Sequence, residues 1–149
     1  MKLNLALTAA LALAAFAAPG AVTRPAAAEP AVELRIATLA PSGSTWMKVF
    51  NAWNLTIQKE TDNTLKLRFY AGGSQGDERD FVRKMRAGQM DGASVTTTGL
   101  GQLVRQVLVL SVPGVFDEYD ELERVRDALS DRFAGMFDQE GYTLLGWGD

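Results

Sequence analysis

The sequence predicts an α/β protein in which a mainly parallel β-sheet is flanked by helices. Three observations carry this. Segments with apolar residues at period two alternate with segments at period 3.6. The stretches between them are short and rich in Gly, Ser and Thr. The alternation runs strand–helix–strand–helix–strand–helix–strand, which demands parallel pairing with right-handed crossovers.

The elements follow in order. "VELRIATL" (32–39) sets Val32, Leu34, Ile36 and Thr38 against Glu33, Arg35 and Ala37, a half-buried strand. "APSGST" is a loop that offers Ser44 or Thr45 as a helix N-cap. From residue 46 to about 60, Met47, Phe50, Trp53 and Ile57 recur on one helical face, and "TDN" closes the helix. "TLKLRFY" (64–70) is a second strand, with Leu65, Leu67 and Phe69 on one face. "AGGSQGDERDF" (71–81) turns on Gly72, Gly73 and Gly76, then starts a short helix with Asp77 as N-cap and Asp80 three residues on. Phe81, Val82 and Met85 form its buried stripe, and Gly88 stands where a left-handed C-cap is wanted.

"MDGASVTTT" (90–98) predicts a third strand. "GLGQLVRQVLVLSV" fits a helix through Val107, while its Val and Leu content leaves a strand open; Arg105 and Pro113 bar it from spanning a membrane. After the "PGVF" turn, Leu122, Val125, Leu129, Phe133 and Met136 predict a long helix over 117–139. "GYTLLGW" (141–147) predicts a fourth strand.

Residues 1–28 are set apart from the fold. Lys2 precedes an apolar, alanine-rich stretch too short for a membrane span, and small residues follow, which describes a secretory signal peptide. Cleavage after Ala28 fits best, and Ala17 is an alternative. The expected location is the periplasm, against a cytoplasmic protein with a greasy N-terminal helix. Residues 29–149 then suffice for one modest domain.

Composition excludes more than it selects. The formal charge is −3, with Lys2 and Arg24 both inside the leader and no basic tract elsewhere. Nucleic acid is therefore not an expected partner, because its binding rests on phosphate neutralisation. With no cysteine and no histidine, the chain has no thiolate, no disulfide and none of the commonest general bases and metal ligands. No enzyme mechanism, metal site or cofactor is expected.

Ligands of open α/β sheets collect outside the carboxyl ends of the strands. Three loops lie there: "TLAPSGSTW", "AGGSQGDERDF" and "VTTTGL". In the middle one, Asp77 and Asp80 read as helix caps that complement the dipole, and Arg79 and Arg83 as solvated. Glu78 divides evenly between a cap and a cleft residue. A corner with three acids suits hydroxyls, an ammonium group, water or a cation better than a bare anion.

Taken together, "LRIATLAPSGSTW", "GGSQGDERDFVRKMRAGQMDGA", "TTTGL", "VLSVPGVFDEYDE" and "GYTLLGWGD" resemble, in order and spacing, the solute-binding receptors of TRAP transporters, the DctP type of solute-binding protein family 7. The resemblance implies the first lobe of a periplasmic binding protein-like (type II-like) fold. It also implies a receptor that closes on a small organic acid, a carboxylate, and delivers it to TRAP membrane permease subunits. Carried over by position, the ligand-binding residues are Glu78, Thr96, Thr97, Ser42, Trp46 and Thr38. For Trp46 a core aromatic is the competing role, and for the threonines bonds to their own backbone. Some sialic-acid receptors carry a Glu near Thr96, and this chain departs from them there.

Family members run to about twice this length, so residues 29–149 are expected to be an N-terminal lobe ending at the interdomain crossover. The arginine that clamps the ligand carboxylate lies beyond that crossover in the family, and a separately encoded C-terminal half is an expected partner. Arg105 is the cation expected nearest a cleft loop, in a solvated helix position. A non-transport interaction or sensor subunit using an exposed sheet edge is the competing function.

Overall fold

The computed structural model describes residues 31–148, so the expected signal peptide lies outside the described residues. The elements are β1 (Val32–Thr38), α1 (Thr45–Glu60), β2 (Leu65–Tyr70), α2 (Glu78–Arg86), β3 (Gly92–Ser94), α3 (Thr97–Leu100), a 3₁₀ helix (Arg105–Ser111) and α4 (Tyr119–Gln139). The three strands form one parallel sheet in the order β2-β1-β3. The predicted fold class is therefore the observed one.

Register explains how the sheet is covered. Val32, Leu34 and Ile36 of β1 stand beside Leu65, Leu67 and Phe69 of β2. That apolar row faces α1, where Phe50 stacks on Phe69 at 5.0 Å. Ser44 caps α1 by accepting from the Met47 N–H. Of the predicted stripe, Met47 is buried and Phe50 and Ile57 half-buried, but Trp53 is 41% exposed. Asp62 and Asn63 end the helix at φ of 48° and 61°, a conformation these side chains tolerate.

The opposite face is built differently along its length. Near the carboxyl ends, Ala37, Phe81 and Met90 form a buried cluster with Tyr70, Met85 and Ala93 against it. Near the amino ends, charge replaces grease. Glu33 pairs with Lys66 and Arg68 across the β1–β2 ladder. Arg35 grips Asp91 through Nε and Nη2 and also donates to the Gly88 carbonyl, while its backbone N–H donates to the same carboxylate. Those bonds hold the Asp91 carboxyl down at about 2, against an ordinary 3.8. Gly88, at φ 67°, supplies both the left-handed end of α2 and a ligand for Arg35. The "G-x-x-D" at the end of "RKMRAGQMD" is thus a staple between α2, β3 and β1.

Four expectations need correction. The third strand is three residues long, because Met90 turns into the core, Asp91 is held by Arg35 and Thr96 caps α3. "GLGQLVRQVLVLSV" makes neither a long helix nor a strand: α3 stops after one turn and a 3₁₀ helix follows. Gly101 lies so close to Leu108 that an added Cβ would meet its Cδ2 at 2.7 Å. The long helix begins at Tyr119, since the Asp117 N–H is turned back onto the Glu121 carboxylate. Finally, residues 142–148 carry no strand ladder. Tyr142, Leu144 and Trp147 pack instead on a second core made by Val104, Val107, Leu110, Phe133 and Phe137.

Candidate functional site

The order β2-β1-β3 fixes where a site belongs. The chain passes from β1 to β2 on one side and then crosses to β3 on the other, so neighbouring loops diverge at the carboxyl ends of β1 and β3. Two hydrogen bonds tie the loops there: the Gly72 N–H donates to the Ala40 carbonyl at 2.8 Å and the Gly73 N–H to that of Thr38 at 3.2 Å. Lys84 reaches back from α2 to the carbonyl and side chain of Gln75. The glycine loop is thereby fixed at both ends.

The acidic run that follows separates into roles. Asp77 and Asp80 form a reciprocal capping box, each carboxylate accepting from the other's backbone N–H. Gly76 is required for it: at φ 102°, a Cβ there would fall 2.2 Å from the Asp80 carboxylate. Arg83 is paired with Asp80. Glu78 is only 8% exposed, and its two oxygens accept from the backbone N–H (2.7 Å) and Oγ1 (2.9 Å) of Thr96. The Thr96 hydroxyl in turn accepts from the Thr98 N–H to cap α3. Gly99 lets this corner close, since its own Cβ would come within 3.1 Å of Glu78. Of these side chains only the Arg79 guanidinium has no hydrogen-bond or ion-pair partner among the described residues.

An open concavity of about 290 Å³ results, lined by Leu39, Asp77, Glu78, Arg79, Thr96 and Thr98. Glu78 and Thr96 thus stand together in its wall. The other four expected site residues do not line it. Thr38 is 2% exposed, with its hydroxyl accepting from the Ala40 N–H. Thr97 is half-buried in α3, and Ser42 is exposed in the β1–α1 loop. Trp46 is 40% exposed, with Phe50 on one side and Gly148 against its ring. Sequence reasoning passed over Arg79 as solvated and put Arg105 nearest the cleft. Arg79 is exposed, as expected of a solvated residue, and also lines the concavity, whereas Arg105 is an exposed residue starting the 3₁₀ helix and does not line it. The available signal was position: Arg83 has Asp80 three residues back, while Arg79 has no acid at helical spacing.

The chemistry of this wall is polar but unreactive. It offers one guanidinium, two carboxylates already accepting backbone bonds, two hydroxyls and an apolar Leu39. Among the described residues no cluster of three metal-ligating side chains occurs, and no helix is long and apolar enough to cross a membrane. A second concavity, about 370 Å³, lies between the 3₁₀ helix and α4 around Val112, Phe116 and Tyr119, away from the strand ends.

Comparison with known proteins places this geometry. A solute-binding protein of Chromohalobacter salexigens is 25% identical over 67% of this chain, which covers 30% of that protein. A TRAP periplasmic solute-binding protein of Roseobacter denitrificans, solved with β-D-glucuronate, superposes with a TM-score of 0.72 at 22% identity, over 79% of this chain and 39% of its own. That of Citrobacter koseri, with D-glucuronate, gives 0.72 at 20% identity, over 79% and 40%. That of Ralstonia eutropha, with (S)-2-acetolactate, gives 0.70 at 21% identity, over 78% and 38%. The chain therefore spans about two fifths of these solved relatives and less of the curated one. The sequence profile of bacterial extracellular solute-binding protein family 7 (DctP) matches residues 36–149, and the chain belongs to that family.

Proposed function

We propose that the chain is the first lobe of an extracytoplasmic receptor for a small organic acid, serving a TRAP-type transporter and its permease subunits. Residues 1–28 export it to the periplasm. The concavity at the strand ends is one wall of the ligand cleft, and the rest of the receptor supplies the opposing wall and the carboxylate-clamping arginine. A separately encoded polypeptide could carry that second lobe as well as a continuous chain could.

The observation that carries this reading is the lining of the concavity in a chain of this family: one unpartnered guanidinium, Arg79, set among acceptors and hydroxyls. Such a wall favours a hydroxylated acid. Glu78 and Asp77 retain lone pairs for ligand hydroxyls, Arg79 donates to a ring or carboxyl oxygen, and Leu39 covers a C–H face. A second carboxylate placed here would meet two acids. The uronates held by the Roseobacter and Citrobacter relatives have the fitting chemistry. Of the other expected ligand contacts, Thr38, Thr97, Ser42 and Trp46 are left to shape the loops rather than touch ligand in this wall.

Titration calorimetry tests this with D-glucuronate and succinate, on the chain alone and on the chain joined to the remainder of the Citrobacter relative. The chain alone should give no heat, since one wall cannot exclude water or close. The joined protein should bind glucuronate in preference to succinate, and Arg79→Gln should weaken it by roughly tenfold, about 1.4 kcal/mol. Micromolar binding by the chain alone refutes the need for a second lobe. A folded joined protein that binds neither acid refutes the receptor reading.

A further inference from the structure

We propose that Leu39 makes the site selective for acids in ring form, by offering a fixed apolar platform to the C–H face of a pyranose. The inference rests on the proposed reading of the concavity as one wall of a ligand cleft, and it narrows the hydroxylated acid named there. Its own support is the way the glycine loop holds this leucine.

Leu39 is the apolar member of an otherwise polar lining, since Asp77, Glu78, Arg79, Thr96 and Thr98 are all charged or hydroxylic. It follows β1 directly and is 44% exposed. A lone exposed leucine is ordinary on a protein surface. This one is bracketed by its neighbours. The Gly73 N–H donates to the Thr38 carbonyl at 3.2 Å, the Ala40 N–H to Thr38 Oγ1 at 3.1 Å, and the Gly72 N–H to the Ala40 carbonyl at 2.8 Å. Residue 39 therefore sits between two anchored residues, of which Thr38 is buried. Gly72 and Gly73 take up left-handed backbone, at φ 64° and 68°, where any side chain would be strained. Leu39 Cδ2 lies 3.4 Å from the place a Gly73 Cβ would occupy, so the side chain rests on this loop. The loop is tied down in turn, by the Gly76 N–H on the Gly73 carbonyl and by Lys84 on Gln75.

The chemistry of the ligand follows from that platform. A pyranose with equatorial substituents shows axial C–H groups on its faces and keeps its oxygens at the rim. Laid on Leu39, such a ring leaves the rim to the carboxylates, the hydroxyls and Arg79 around it. An open-chain polyol acid carries hydroxyls along its whole length. Seated in the same place, it presses a hydroxyl against methyl groups that cannot bond it, and desolvating a hydroxyl without a partner is unfavourable. A mobile leucine could turn aside and let water in. A bracketed one cannot do so without breaking the bonds on either side of it, so the apolar contact is ordered before the ligand arrives.

Two measurements test this. Methyl relaxation by NMR on the chain alone should find Leu39 as ordered as buried Leu67, and unlike Leu145, which is 76% exposed. A Leu39 as mobile as Leu145 overturns the fixed platform. Titration calorimetry on the chain joined to the remainder of the Citrobacter relative then compares D-glucuronate, a ring acid, with D-gluconate, an open-chain one. The joined protein should prefer glucuronate by about tenfold or more, and Leu39→Asn should erase that preference, mostly by weakening glucuronate. Arg79→Gln should weaken both acids and keep their ratio within about twofold, because both carry oxygens for it to bond. An unchanged ratio in folded Leu39→Asn overturns the proposal. Equal weakening of both acids does so too, since Leu39 would then seal the lobes rather than read the ligand. Binding of neither acid by the folded joined protein sinks the receptor reading and this selectivity with it, whereas binding without preference for glucuronate sinks the selectivity alone. Should the joined protein not fold, millimolar titration of the labelled chain gives the same comparison: glucuronate should shift the Leu39 methyl resonances and gluconate should not, and equal or absent shifts count against the proposal.

Discussion

The two edges of the sheet are finished in opposite ways. At the β2 edge, the outward N–H groups of Leu65 and Leu67 are met by side chains of the preceding segment: Thr61 Oγ1 accepts from Leu65 at 3.2 Å and Asn54 Oδ1 from Leu67 at 2.7 Å. At the β3 edge, Gly92 and Ser94 pair with β1, and no strand lies beyond β3 among the described residues. Both edges are made by the same chain, so the difference is not one of composition alone. β2 is closed by the helix that precedes it in sequence, so its caps are local. β3 is held from below, by Phe81 and Met90 and by the Arg35–Asp91 staple, with no strand on its other side among the described residues.

The largest test of that contrast lies under β3. Phe81 is fully buried against Ala37 and Met90. Phe81→Ala should cost about 3–5 kcal/mol, read by urea denaturation, and β3 amides should lose protection before β2 amides do. Equal loss at both edges would show that the two are not separately supported. Next is the β2 cap. Asn54→Ala leaves the N–H of buried Leu67 without an acceptor and should cost about 1–3 kcal/mol, whereas Asn54→Asp keeps an acceptor and recovers most of it. A neutral Asn54→Ala would mean that water closes this edge equally well.

A smaller effect is expected at the carboxyl end of β3. Glu78→Ala removes both acceptors of Thr96 and should destabilise by about 1–2 kcal/mol in the same assay, while raising exchange at the Thr96 amide. The smallest is a pH effect. Asp91 has its carboxyl lowered in the folded chain, so its contribution is complete above about 3.8 and is lost as pH falls towards about 2. Thermal melts between pH 6 and pH 2 should show a decline in that window that Asp91→Asn abolishes. A decline unchanged by the substitution would assign it to other carboxylates.

Within the candidate site, structure and function share the same residues. Of the four charged side chains in "DERD", three are committed to holding α2 and α3 in place, through the capping box and the Glu78–Thr96 bonds. Arg79 is the exception. A wall whose acids are already bonded to backbone is rigid before any ligand arrives, which lowers the ordering cost of binding.

Local pattern settled much of this protein unaided. The strands at 32–38 and 65–70, the Ser44 and Asp77 caps, the glycine turns and the left-handed end at Gly88 all follow from interactions within a few residues, which a sequence displays directly. The family was legible from five short segments in order, because loops at the strand ends keep their spacing. Tertiary structure decided the rest, wherever a group's fate depends on a distant partner. Residues 142–148 look like a strand, but a ladder needs a neighbour, and no sequence pattern says whether one is in reach. Trp53 shares the helical spacing of the buried stripe, yet it is exposed, since only packing decides which part of the stripe meets the sheet. Glu78 and Arg79 are adjacent in sequence and opposite in role, because Thr96 comes within bonding distance of one and no acid comes within reach of the other.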